Sequence, residues 1–89
     1  MITARKQDDA IVVARLYVRP QYQRRGIGRE LLESTYRVFG DAQRVRLTVE
    51  ADNRKGVAFY TKQGFREVVR SSEEIAGARL ENVVMERPL

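Results

Sequence analysis

Between residues 23 and 29 the chain reads Gln23-Arg24-Arg25-Gly26-Ile27-Gly28-Arg29. These residue types at this spacing suit the holding of an anion. Gly26 and Gly28 let a turn tighten and leave backbone N–H groups uncovered by side chains. The arginines add charged forks that match phosphate oxygens. The grip works where the turn opens a helix, because the first N–H groups of a helix have no partner within it and its N-terminal end carries partial positive charge. The reading is that this turn holds a pyrophosphate; a plain tight turn is the alternative. The spacing differs from two common phosphate loops. Position 31 is Leu where the dinucleotide fingerprint places Gly, and no Gly-Lys-Ser/Thr follows.

Other chemistries are narrowed by what the chain lacks. Its 89 residues, enough for one domain, contain neither cysteine nor histidine. A disulfide, a thiol nucleophile and the commonest general base are therefore absent, and no metal site is expected. Of the 17 basic residues 14 are arginine, and the net charge is +5. That balance reads either as a solubilising surface or as a match for an anionic partner, a phosphorylated cofactor or a nucleic acid. The longest apolar run, Ala10 to Ala14, is far below the roughly 20 residues of a membrane span. No signal-peptide core stands at the N-terminus, so the expected location is cytoplasmic.

The elements that must position the glycine turn can be read from periodicity. Ile2 to Lys6 reads as a strand with a turn at Asp8-Asp9. Ile11 to Val18 reads as a strand with two mostly apolar faces, one of Ile11, Val13, Arg15 and Tyr17, the other of Val12, Ala14, Leu16 and Val18. That pattern predicts a central strand covered on both sides and ended by Pro20. Beyond the turn, Ile27, Leu31, Leu32, Thr35, Val38 and Phe39 recur at helical spacing up to Gly40. Arg29 with Glu33, and Glu33 with Arg37, stand four apart as exposed pairs. Arg44 to Glu50 alternates strictly, burying Val45, Leu47 and Val49. Asp52 or Asn53 caps a second helix that passes through Val57 to Tyr60 and stops at Gly64. Arg66 to Arg70 reads as a strand, Ser71 to Ala78 as a loop, and Leu80 to Glu86 as a last strand. Helices that follow strands require at least one parallel pair in the middle, while the last two strands form an antiparallel pair.

A second constellation lies on the second helix. Asn53 stands seven residues before Tyr60, within Ala58-Phe59-Tyr60-Thr61-Lys62-Gln63-Gly64-Phe65. With both stretches in view, the chain resembles the GCN5-related N-acetyltransferases. Their Gln/Arg-x-x-Gly-x-Gly/Ala signature is matched by Gln23 to Gly28, after a strand ending Leu16-Tyr17-Val18-x-Pro20. Their Asn, aromatic-Tyr and Gly-Phe signature is matched by Asn53, Phe59-Tyr60 and Gly64-Phe65. The resemblance covers about residues 10 to 70 and implies an α+β fold. That fold is a mixed, mostly antiparallel β-sheet with a central parallel pair splayed around the cofactor and two helices, a truncated acyl-CoA N-acyltransferase fold.

The resemblance also implies a ligand and its contacts. Acetyl-CoA is the co-substrate. The backbone of Leu16, Tyr17 and Val18 would lie along the pantetheine arm like an added strand, with the Val18 N–H facing the thioester oxygen as an oxyanion donor. The N–H groups of Arg24, Arg25, Gly26, Ile27, Gly28 and Arg29, with Gln23 opening the motif, would surround the pyrophosphate. Asn53 would hydrogen-bond the pantetheine end, and Tyr60 would sit by the sulfur as the catalytic residue. From the residues alone, Tyr60 also reads as a core aromatic and Asn53 as a helix cap.

The implied reaction is acetyl transfer from acetyl-CoA to a primary amine by direct attack through a tetrahedral intermediate. Positioning of the two reactants supplies much of the rate. A phenol near pKa 10 is a poor acid toward a thiolate near 8.5, by roughly 2 kcal/mol, so Tyr60 suits hydrogen-bond stabilisation of the leaving sulfur. A lysine-type amine is neutral only about once in a thousand near pH 7.4. Thr48 stands where some family members carry a glutamate base and cannot serve. Glu50, on the same strand face, would act through water or stand as a solvated carboxylate, and no base is assigned.

Family members run to about 150 residues. Residues 1–89 are thus expected to be a single domain lacking the usual N-terminal strand-helix-helix-strand part. A homodimer is expected to cover the apolar sheet surface left open. The alternatives are a degenerate acyl-CoA-binding protein without turnover and a small basic nucleic-acid-binding module. Scattered arginines and the lack of an interleaved aromatic series speak against the latter.

Overall fold

The computed structural model describes residues 1–16 and 26–89. Its elements run β1 (Ile2–Gln7), β2 (Ala10–Leu16), α1 (Ile27–Val38), β3 (Arg44–Glu50), α2 (Arg54–Lys62), β4 (Arg66–Ile75) and β5 (Ala78–Pro88). The strands form one mixed sheet in the order β1-β2-β3-β5-β4 with one parallel pair, as the strand–helix alternation requires. No helix among the described residues is long and apolar enough to cross a membrane. The chain divides into two compact units, Met1–Val45 with Pro88–Leu89, and Arg46–Arg87.

In the first unit β1 and β2 form an antiparallel hairpin that pairs Gln7 with Ala10 and Ala4 with Val13. Its turn holds Asp8 at φ 56, a left-handed conformation that aspartate tolerates better than most residues. Ala10, Ile11, Val13, Leu32, Ala42 and Val45 are buried. Thr35 joins them, and its hydroxyl donates to the Leu31 carbonyl at 2.9 Å, which satisfies its own buried donor. Two expectations are corrected here. On β2 the second face is not fully covered, since Val12 and Leu16 are half-buried and Ala14 is exposed. On α1, Val38 is 75% exposed: the helix ends there, and the half-buried Phe39 caps it with an N–H bond to the Thr35 carbonyl. The predicted end of β2 at Tyr17 and Val18, and Pro20, lie outside the described residues.

The second unit carries its own buried set, Leu47, Val49, Phe65, Val83 and Met85. β3 has the predicted bounds, with Val45, Leu47 and Val49 buried and Thr48 and Glu50 exposed. Gly64, at φ +93, turns the chain out of α2 into Phe65. The reading of Ser71 to Ala78 as a loop is overturned. β4 runs on to Ile75 and pairs with β5 down to Ile75 opposite Ala78. The connection is the two-residue turn Ala76-Gly77, at φ 52 and 81. Positive φ at both central residues suits the right-handed twist of a tight hairpin. The first half, Arg66 to Arg70, was expected; the second half escaped sequence reading because the residues of β4 are all exposed, which removes the apolar alternation that marks a half-buried strand.

Candidate functional site

The sequence-derived site residues divide between the two units. Tyr17, Val18, Gln23, Arg24 and Arg25 lie outside the described residues. Leu16 closes β2 and is half-buried. Gly26, Ile27, Gly28 and Arg29 stand together at the start of α1. Gly26 is its N-cap, at φ 77 and ψ 7, and no side chain caps the helix. The first intrahelical bond runs from the Glu30 N–H to the Gly26 carbonyl at 3.0 Å. The N–H groups of Ile27, Gly28 and Arg29 precede it and have no acceptor within the helix.

Gly26 is needed for its backbone. A Cβ there would meet nothing within 4 Å, but the left-handed φ strains any L side chain. Gly28 does only part of the work expected of it: it does not tighten the turn through a positive φ, since it lies inside the first helical turn and is not among the glycines at positive φ. Its bare Cα keeps that turn uncovered. The Arg29 side chain pairs with Glu33 at 3.2 Å along the helix, as the four-residue spacing predicts. Arg37, expected to pair with Glu33, instead donates to the Ser34 hydroxyl at 3.1 Å. A residue that is bare, left-handed and followed by uncapped N–H groups meets the needs of a phosphate oxygen ligand.

In the second unit Asn53 is the N-cap of α2, and its Oδ1 accepts the Gly56 N–H at 3.0 Å. A Cβ on Gly56 would come within 2.6 Å of Asn53 Nδ2. Gly56 therefore belongs to the constellation although sequence reading passed over it. The signal was a glycine three residues after a capping asparagine, inside a helix where glycine is otherwise unfavourable. With Oδ1 engaged by Gly56, Nδ2 is the part of the amide that remains as a donor.

Tyr60 lies two turns further along α2 and is half-buried. Its ring stands edge-on to Phe59 at 5.2 Å and 70° and to Phe65 at 5.5 Å and 68°. Its carbonyl accepts the N–H groups of Gln63 and Phe65, each at 3.0 Å, which ties the end of α2 to β4. Packing thus fixes the ring from two sides. Thr48 and Glu50 are exposed on β3. Among the described residues no group of three or more acidic side chains is placed to hold a metal ion.

Residues 1–67 match the family model described as an acetyltransferase (GNAT) domain. No curated protein sequence matches the chain. Solved structures do. The ribosomal-protein-S18-alanine N-acetyltransferase from Escherichia coli is 26% identical with a TM-score of 0.82, over 98% of this chain and 59% of that one. Ard1 from Thermoplasma volcanium is 22% identical with a TM-score of 0.87, over 99% and 61%, and shows the fold. The PaiA N-acetyltransferase from Thermoplasma acidophilum, solved in complex with coenzyme A, is 27% identical with a TM-score of 0.76, over 99% and 52%. The chain spans less than two thirds of the length of each. With the uncapped α1 start and the Asn53–Tyr60 helix both inside one family pattern, this chain belongs to the GNAT acetyltransferase family.

Proposed function

We propose that the chain binds acetyl-CoA and transfers its acetyl group to a primary amine. The observation that carries this reading is the uncapped start of α1 behind Gly26 at φ 77. Three successive backbone donors there suit a pyrophosphate, and the PaiA structure, a relative by fold, holds coenzyme A. Bound there, the co-substrate brings an activated thioester to the amine.

The residues of this chain would divide the work. Ile27, Gly28 and Arg29 N–H groups hold the pyrophosphate, Asn53 Nδ2 donates to the pantetheine end, and the Tyr60 hydroxyl hydrogen-bonds the departing sulfur. The ring contacts with Phe59 and Phe65 keep that hydroxyl from wandering, which reduces the ordering needed when the thioester arrives. Removal of the amine proton is left to water or to a group outside this set. By family likeness, Leu16, Tyr17 and Val18 would lie along the pantetheine arm, and Gln23, Arg24 and Arg25 would complete the phosphate turn. We propose further that the chain acts as a homodimer, for which the exposed Val68, Val69 and Ile75 argue.

A thiol-release assay with acetyl-CoA and a panel of primary amines tests the reading. Release that needs the amine supports acetyl transfer. A melting-temperature rise with acetyl-CoA but no release with any amine identifies a binder without turnover. A binder without turnover overturns the transfer, and the absence of both responses overturns the whole proposal.

A further inference from the structure

β4 is an edge strand of the sheet, and every one of its residues is exposed. An edge strand offers unpaired N–H and C=O groups to any strand that comes alongside. The pairing of β4 with β5 fixes which side chains share a face. Arg70, Ser72 and Glu74 lie opposite Val83, Glu81 and Arg79; Val69, Ser71, Glu73 and Ile75 lie opposite Val84, Asn82, Leu80 and Ala78. On the second face Val69 and Ile75 are 54% and 53% exposed, beside the half-buried Leu80 and Val84. Apolar side chains therefore reach the open edge.

We infer that β4 pairs antiparallel with β4 of a second copy of this chain, about a two-fold axis at Ser72. This rests on the homodimer reading above and gives it a place. It does not depend on acetyl transfer. Antiparallel neighbours directly opposite one another share a face, so each axis position dictates a full set of cross-strand pairs. With the axis at Ser72, Val69 meets Ile75 and Arg70 meets Glu74, each twice. An axis at Arg70 sets that cation against itself, and one at Glu73 does the same with its carboxylate. An axis at Ser71 sets Val69 against Glu73 and leaves Arg70 beside Ser72. Charges on an edge ordinarily keep copies apart. Here opposite charges lie at equal distances on either side of Ser72, so the same residues attract a copy in this register; the attraction is lost when the axis moves to Ser71 and gives way to like-charge opposition when it moves to Arg70 or Glu73. Arg70 already bonds Glu67 at 2.6 Å and lies 3.9 Å from Glu81. Its guanidinium carries five donors and can take a further carboxylate.

The chain contains no cysteine, which makes a crosslinking test clean. Under mild oxidation the Ser72→Cys chain is expected to form a covalent dimer several-fold faster than Ser71→Cys or Glu73→Cys, because only the axial residue faces its own copy. Sedimentation should show the wild type as a dimer at micromolar concentration. Arg70→Glu and Glu74→Arg should each sediment as monomers, and an equimolar mixture of the two should recover the dimer, since every opposed pair is then again of opposite sign. Equal crosslinking at all three positions overturns the register. A monomeric wild type, or charge variants that stay dimeric alone, overturns the interface. Should a charge variant lose its fold, the cysteine series still decides, since serine to cysteine at an exposed strand position disturbs little. An acetyl-CoA titration of the wild type is independent of each of these outcomes.

Discussion

Gly26 and Tyr60 take opposite kinds of constraint. Gly26 has open space around its missing Cβ but a φ that only glycine holds without strain. Gly26→Ala is therefore expected to destabilise by about 1–2 kcal/mol, the cost of a left-handed residue with a Cβ. A larger residue at the same position should also cover the donors and remove acetyl-CoA binding; unchanged affinity in Gly26→Val, measured by calorimetry, would sever the turn from the ligand. Tyr60 is held by ring contacts that a phenylalanine reproduces. Tyr60→Phe should keep the melting temperature and KM for acetyl-CoA near wild type and lower kcat. An equal loss in affinity and turnover would deny the hydroxyl its place by the sulfur. Both residues stood out in the sequence as candidates, because glycine spacing and the Asn–aromatic-Tyr–Gly-Phe run are carried by residue type alone. Gly56 was not, because its need arises only when the Asn53 side chain folds back onto the helix.

At the scale of the element, α2 makes an unusual demand. Glycine to alanine inside a helix ordinarily stabilises by roughly 0.5–1 kcal/mol. Gly56→Ala should do the reverse, since its Cβ would lie 2.6 Å from Asn53 Nδ2 and push the cap away. Loss of the cap costs about 1 kcal/mol. A higher melting temperature for Gly56→Ala would show that the cap is dispensable. In the β4–β5 turn Ala76 sits at φ 52, where asparagine is at less cost. Ala76→Asn is expected to raise the melting temperature by a small but measurable amount, and a fall would contradict the turn as described.

The same scale holds one pH effect. Lys6 of β1 hydrogen-bonds and attracts Asp41, and a backbone hydrogen bond adds to it, so the carboxyl is held below its ordinary value. A lowered folded-state value gives stability that is present above the ordinary carboxylate range and disappears as pH falls through the folded-state value. The pair is exposed, so the effect is small and screened by salt. Asp41→Asn should melt slightly below wild type at neutral pH, with the gap beginning to close below about pH 4 and vanishing only beneath the lowered folded-state value. A difference that persists in acid would assign the effect to something other than this ion pair.

Across the whole molecule, the order of elements followed from periodicity wherever one face of a strand or helix is buried. β3 came out with its bounds intact because strict alternation leaves one assignment. β4 did not, because a strand with no buried face carries no pattern to find. Coverage of β2 was overestimated because apolar residues on two faces say what a strand tolerates, not what lies against it. The family match runs over residues 1–67, while the structural likeness extends over nearly the whole chain but under two thirds of the relatives.

The central claim is that backbone donors behind Gly26 hold the pyrophosphate of acetyl-CoA. A ligand that binds only the folded chain raises its melting temperature by mass action. Melting followed against acetyl-CoA concentration should therefore rise progressively for the wild type, with Gly26→Val unresponsive at every concentration. A wild-type melting temperature that stays flat up to millimolar acetyl-CoA would contradict the claim.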